Sequence, residues 1–352
     1  MKKIIHGGDI YSYEGKIDKI IDFSSNINPL GIPEKVKQAL HEAVDKSIFY
    51  PDPLCRKLKK ALSTYYKLPQ NYFVLGNGAA DIIFKIAQTL KPKKVLLPAP
   101  TFSEYEQSLK SVNTEIHYYY LKEENKFKVD EDILNYLTTD FDAVYLCNPN
   151  NPTGLTIEND LFIQIIEKCK LNNIICIIDE CFNDFMENSE LYSFLPLINK
   201  FDNLVILKAF TKIYAIPGVR LGYAISSNLE IISNIEDCGQ AWAVSVFAQE
   251  AGIAALQEDE FVSDTVKYIS EQRNILNKSL TELDFDVYDS KANYIFFKNN
   301  SNIDIEEKLK KQGILIRNCS NYHGLTNKFF RIAVKSKKDN KFLIDNLKLI
   351  LR

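Results

Sequence analysis

Residues 207–223 read LKAFTKIYAIPGVRLGY, and the fold turns on what the lysine within them is for. The apolar run LVILK (204–208) ends just before it. Most lysines are solvated surface charges. Lys212 instead follows a run apolar on both faces, which delivers its amine to the end of a buried strand. An amine held there can form a Schiff base with an aldehyde. Its neighbour Thr211 offers a hydroxyl, and Arg220, just past the Pro217-Gly218 turn, offers a guanidinium fork. Both suit a phosphate. One short segment can therefore hold both ends of a phosphorylated aldehyde cofactor.

Four more runs of the same kind precede it: YFVLG (72–76), KVLLP (94–98), AVYLC (143–147) and IICIID (174–179). Turn residues bound each run, and helix-length stretches such as 157–172 separate them. Short runs apolar on both faces read as strands of a mostly parallel sheet with helices on either side. From about residue 265 the pattern changes. A long helix leads to strand-like NYIFF (293–297), helix-like IDIEEKLKKQ (303–312), strand-like ILIR (314–317) and FFRIAV (329–334), and a closing helix. The chain is thus α/β, with an expected arm and part of a small domain in residues 1–45, a large cofactor-binding domain in 46–260, and a smaller α+β domain in 261–352.

The strand ends carry the chemistry. Asp179 closes IICIID, where a carboxylate is costly to bury unless it is paired. A protonated pyridine nitrogen supplies that charge, and the pair strengthens the ring as an electron sink. In CNPNNPTGL (147–155) two prolines fix the loop around Asn151, whose amide can donate to a phenolic oxygen. The segment LGNGAADIIFKIAQTL (75–90) joins strand to helix, so the free N–H groups of Gly78, Ala79 and Ala80 form a phosphate cradle at a helix N-terminus. In PAPTFSEYE (98–106) either Phe102 or Tyr105 can stack on a planar ring.

Composition narrows the partners. A chain of 352 residues, 46% of them hydrophobic, is long enough for a large core and about two domains. No apolar run of about 18 residues could span a bilayer. MKKIIHGGDIY is not followed by the apolar core of a secretion signal, so the expected location is the cytoplasm. Seven cysteines make no CxxC pair, which reads as buried reduced thiols and no metal site. A net charge of -3 spread over interleaved Lys and Glu gives no footprint for nucleic acid or membrane. Small molecules are the expected partners.

In this order and spacing the blocks resemble the fold-type I pyridoxal-5'-phosphate enzymes, whose fold is aspartate aminotransferase-like. Within them the chain resembles the branch of histidinol-phosphate aminotransferases and threonine-phosphate decarboxylases. HGGDIY (6–11), DFSSNINPLG (22–31), FYPDP (49–53) and GILIRNCSNYHGL (313–325) are more similar to the decarboxylases. The resemblance implies pyridoxal 5'-phosphate as cofactor, with Lys212 as its Schiff-base lysine and Asp179 on its ring nitrogen. It implies Asn151 on the phenolic oxygen, Tyr105 stacked on the ring, and Gly78, Ala79, Ala80, Thr211 and Arg220 around the phosphate. Tyr50 would reach the cofactor of the other subunit in a homodimer. His6, Gly7, Asn26, Asn151, Arg317 and Arg331 would receive a substrate bearing a carboxylate and a phosphate.

Two positions depart from the pattern. Ala209 stands where many relatives have a serine that contacts the phosphate, and Phe182 where the aminotransferases of the branch commonly have a tyrosine; the second resembles the decarboxylases. The implied reaction is decarboxylation of a phosphorylated hydroxy amino acid, in cobalamin biosynthesis: threonine phosphate to aminopropanol phosphate, or serine phosphate to ethanolamine phosphate. The alternative is an aminotransferase for histidinol phosphate or a related amine. A third reading, a catalytically silent cofactor-binding regulator, needs a DNA-binding module, and no basic helix-turn-helix is present.

Overall fold

A strand that is apolar on both faces escapes water only inside a sheet covered on both sides. In the computed structural model, which describes residues 6–13, 15 and 19–351, all five apolar runs lie in one such sheet. Its strands are β1 (Phe73–Gly76), β2 (Lys94–Ala99), β3 (Glu115–Tyr120), β4 (Ala143–Cys147), β5 (Ile175–Asp179), β6 (Leu204–Ala209) and β7 (Gly222–Ile225). They are ordered β1-β7-β6-β5-β4-β2-β3. Neighbours from β3 to β6 pair in parallel, while β7 is antiparallel to both β6 and β1. Six strands therefore run one way and β7 the other.

The two strands without an apolar run have physical reasons. β3 is at the sheet edge and leaves alternate residues in water, so its sequence EIHYYY mixes polar and aromatic side chains. β7 is short and begins at the very end of the lysine block. One sheet face packs Val74, Val95, Tyr145, Val205 and Leu207 into a core, and the other packs Leu96, Val144, Ile178, Leu204 and Ile206. Helix Ala79–Leu90 buries Ile82, Ile83 and Ile86, and helix Asn159–Leu171 buries Leu161, Phe162, Ile165, Ile166 and Cys169. These are the stripes expected of helices lying on a sheet.

After the long helix Asp259–Glu282 comes a four-stranded antiparallel sheet. It contains β8 (Asp286–Val287), β9 (Tyr294–Lys298), β10 (Arg317–Asn318) and β11 (Phe329–Ala333), in the order β10-β11-β9-β8. The ILIR run is divided. Ile314 and Leu315 pair in parallel with Ile21 and Asp22, whereas Arg317 opens β10 opposite Arg331. The N-terminal segment, which shows no sheet pattern in sequence, is thus tied to the C-terminal part of the chain. It also forms helix Glu34–Lys46.

All seven cysteines are unpaired, and six are buried; the expectation of burial fails only for Cys238, which is exposed. No helix among the described residues is long and apolar enough to cross a membrane. The lysines at positions 2 and 3, weighed above as part of a possible signal, lie outside the described residues. What the fold prepares is an edge. Cys147, Asp179 and Leu207 are register partners across β4, β5 and β6, so the C-terminal ends of these strands open side by side. In sheets of this kind that edge is where ligands bind.

Candidate active site

At this edge Asp179 is 5% exposed. Its Oδ2 accepts the Tyr105 hydroxyl at 2.7 Å, and its Oδ1 accepts the Cys181 N–H at 2.8 Å. Burial, then the charge of Asp179, holds the Tyr105 hydroxyl far above the usual tyrosine range. Tyr105 therefore remains a donor to the carboxylate.

This placement corrects the role expected for Tyr105. The residue is completely enclosed, so neither ring face is open to a ligand. The other aromatic of the loop, Phe102, is half-buried at the end of β2, with its ring edge-on to Tyr105 and 5.7 Å from the His6 ring. Phe102 is the aromatic of this loop that can meet a planar ring. A loop carrying two aromatics three residues apart does not reveal in sequence which one points inward.

Lys212 lies in the single helical turn Phe210–Ile213 that follows β6. It is half-buried, with Nζ 5.8 Å from the centre of the Phe182 ring. Asn28, a residue the sequence did not single out, holds this turn. Its N–H donates to the Lys212 carbonyl at 3.2 Å, and its Nδ2 donates to the Ile213 carbonyl at 2.7 Å and to Thr265 Oγ1 at 2.8 Å. The only signal was its place in the NINP loop. Phe182 is buried edge-on against Tyr294, and Ala209 ends β6 with a methyl group that offers no hydrogen bond.

A cradle forms where β6, β7 and the start of helix Ala79–Leu90 meet. Gly222 pairs with both Gly76 and Ala209, and a Cβ on it would stand 2.3 Å from the Ala79 nitrogen, so only glycine lets the helix end approach the sheet this closely. Gly78 has φ +84° and lies under Arg220, whose Nη2 would be 2.5 Å from an added Cβ. The Gly78 N–H is not free as expected, because it donates to the Gly76 carbonyl at 2.8 Å in the tight turn before the helix. Ala79 and Ala80, the first two helical residues, keep N–H groups with no intrahelical acceptor. The Thr211 hydroxyl is buried without a partner. Buried polar atoms rarely go unpaired. An orphaned hydroxyl, helix-end N–H groups and a guanidinium at one place fit a phosphate.

The residues expected to meet substrate fall into two connected groups. Arg331, 5% exposed, donates through Nη1 to Asn151 Oδ1 and through Nη2 to the Ser24 carbonyl at 2.7 Å, while its Nε has no partner. Asn26 is buried beside this strand with its Oδ1 unpartnered, and its carbonyl accepts from Asn293 at 3.1 Å. Arg317 lies directly across the β10–β11 ladder from Arg331 and donates to the Asn318 carbonyl and to Asn321 Oδ1, each at 2.7 Å. His6, Gly7, Ser24, Lys310 and Arg317 line a cleft of about 190 Å³. The exposed His6 contacts Glu104 through Nε2 at 2.5 Å, and Gly7 abuts Ser24 so closely that a Cβ would meet its carbonyl at 2.2 Å. Tyr50 is not brought to these groups: it is 79% exposed and packs on Trp242, with ring centres 4.6 Å apart.

Residues 18–347 match the family model of aminotransferase class I and II. The chain belongs to that family. It is similar to a threonine-phosphate decarboxylase of Salmonella typhimurium, 36% identical, the match covering 98% of this chain and 96% of that protein. It is also similar to an adenosylcobalamin biosynthesis bifunctional protein of Leptospira interrogans, 34% identical over 97% of this chain and 40% of that longer protein. Among solved structures it resembles the histidinol-phosphate aminotransferase from Clostridium acetobutylicum, with a TM-score of 0.88 and 32% identity over 94% of this chain and 99% of that one. The fold is aspartate aminotransferase-like and the cofactor is pyridoxal 5'-phosphate.

The cradle yields a direct check. Gly78→Ala places a side chain at φ +84° and ψ 165°, a region essentially reserved for glycine, at a cost of about 1 to 3 kcal/mol, and pushes into the Arg220 fork. Titration with pyridoxal phosphate should show an affinity lower by on the order of tenfold. Unchanged affinity would mean that the phosphate lies elsewhere.

Proposed function

We propose that the protein decarboxylates a phosphorylated hydroxy amino acid, threonine phosphate or serine phosphate, as a step in cobalamin biosynthesis. The similarity to a threonine-phosphate decarboxylase over nearly the whole of both chains carries this reading, and the cobalamin-pathway relative supports its context. In this proposal Lys212 is the attachment lysine and Asp179 the partner of the ring nitrogen. Asn151 faces the phenolic oxygen, Phe102 rather than Tyr105 covers the ring, and Ala79, Ala80, Thr211 and Arg220 hold the phosphate with Gly78 as the turn. Bound pyridoxal phosphate draws electrons from whichever substrate bond at Cα stands perpendicular to its ring.

The protein's part is then to choose that bond. A site that anchors both the substrate phosphate and its carboxylate can turn the carboxylate out of the ring plane. His6, Gly7, Asn26, Arg317 and Arg331 are assigned to those two anions, and the register that sets the arginines side by side supports the assignment. Lys212 can hand a proton to the carbon left behind. The second reading, an aminotransferase acting on histidinol phosphate, draws on the likeness to the Clostridium acetobutylicum structure. It differs in turning the Cα hydrogen out of plane instead. Phe182 favours the first reading, since a ring without a hydroxyl stands beside Lys212.

The same proposal makes the working unit a homodimer in the cytoplasm, divided near residues 45 and 260. Ile48, Phe49 and Tyr50 are 70% to 79% exposed in sequence, next to the half-exposed Trp242, which supports burial against a second copy. The unpaired cysteines agree with a reducing compartment. The pairing of Ile21–Asp22 with Ile314–Leu315 supports a small domain drawn from both chain ends.

Three measurements test this. Given threonine phosphate, serine phosphate or histidinol phosphate, with and without 2-oxoglutarate, the enzyme should release CO2 from one of the first two without the oxo acid; glutamate from histidinol phosphate, with no CO2 from either phosphoamino acid, would favour the second reading. Replacing Arg317 or Arg331 with Ala should leave cofactor absorbance intact and lower kcat/KM by roughly 1.5 to 3 kcal/mol of lost charged contact; loss of the cofactor instead would contradict their assignment. Sedimentation at assay concentration should show dimers, and a fully active monomer would refute the shared site.

A further inference from the structure

A buried charge cluster lies on the sheet face opposite Tyr105. Lys208, the residue before Ala209 at the end of β6, is 3% exposed and Glu180 is fully enclosed. The Lys208 ammonium stands 2.8 Å from Asp184 Oδ1 and 3.7 Å from Glu180 Oε2. Glu180 also accepts the Phe194 N–H at 2.7 Å and the Ser193 hydroxyl at 2.9 Å. Burial lowers the affinity of Lys208 for its proton, but Asp184, then Tyr66 and Glu180, outweigh it and hold the amine charged.

The cluster's position in the chain is its significance. Glu180 directly follows Asp179, and Lys208 precedes Lys212 by four residues. The Glu180 N–H donates to the Leu207 carbonyl at 2.9 Å, so the ladder of β5 and β6 continues into the same pair. Two segments are bound together here: one ends in the ring-nitrogen carboxylate, the other in the attachment lysine. Well-packed apolar groups of similar size would often stabilise the fold as well as a buried ion pair does. What an ion pair adds is one fixed arrangement of the segments it joins.

We propose that Lys208, through Glu180 and Asp184, is a positioning residue that fixes Asp179 and Lys212 relative to each other. The proposal rests on the assignment of those two residues given under the proposed function. It makes the cluster a determinant of cofactor orientation, although none of its side chains needs to touch the cofactor.

The test is the double variant Lys208→Met/Glu180→Gln, which replaces the enclosed amine and the enclosed carboxyl together, so that neither is left facing a missing partner. The Asp184 side chain, 32% exposed, can turn to water. The variant should fold and bind pyridoxal phosphate, but the circular dichroism of the bound cofactor's visible band should change. Its kcat should fall by on the order of tenfold or more with KM little altered, as expected when reacting groups are displaced rather than lost. Lys208→Arg, which keeps the charge, should restore most of both signals. Should the double variant not fold, Asp184→Asn, at the partly exposed member, should move the same two readouts in the same direction. A folded variant with the parent's visible dichroism and kcat would overturn the positioning role. Lys212→Ala separates this from the reading beneath it: a visible band attributable to lysine-bound cofactor that survives there would defeat the assignment of Lys212, and the proposal with it.

Discussion

A carboxylate enclosed at the end of a doubly covered strand constrains everything around it. Asp179 receives hydrogen bonds from Tyr105 and the Cys181 N–H, both neutral donors. Neutral donors soften the desolvation of a buried anion, and a cation completes its compensation. In the proposed site the protonated ring nitrogen of pyridoxal phosphate would be that cation. The tyrosine beneath the carboxylate, with its proton held tightly by burial and by Asp179 itself, serves to aim the anion.

From that point outward the fold works by register. Because β4, β5 and β6 are parallel and in step, the Asn151 loop, Asp179 and the Lys212 turn leave the sheet from one edge. The absence of a Cβ at Gly222 brings a helix N-terminus and Arg220 to the same edge. The residues proposed to receive the substrate come from elsewhere in the chain. Arg331 bonds to Asn151 of the loop after β4 and to Ser24 of the N-terminal segment at once. A single guanidinium therefore joins the two sheets and the arm, and a change in its ligands would be felt by all three.

Much of this was legible because burial leaves a pattern. The five apolar runs became strands within a residue or two of their expected limits, since a strand covered on both faces tolerates few polar residues. The edge strand β3 was not legible, for half of it faces water. Nor was the reversal at β7, a four-residue strand that starts at the end of a segment whose threonine and arginine spoke of a phosphate. At the site, residue types and spacing indicated the lysine, the strand-end aspartate and the glycine turn as candidates, and the structure gathers them at one edge. Side-chain direction was beyond reach. Whether Phe102 or Tyr105 faces inward depends on how the loop after β2 turns. Whether the Gly78 N–H is free depends on a two-residue turn closing on Gly76. Asn28 and Lys208 were missed for a different reason. Their importance lies in contacts with residues far along the chain, which local sequence does not record.

The central claim is that the edge built around Asp179 holds pyridoxal phosphate through Lys212. Reduction of the holoenzyme with borohydride, followed by proteolysis and mass mapping of the labelled peptide, tests it most directly. The account predicts one cofactor-derived label per chain, on Lys212 in the segment 207–223; a label on any other lysine, with Lys212 unmodified, would contradict it.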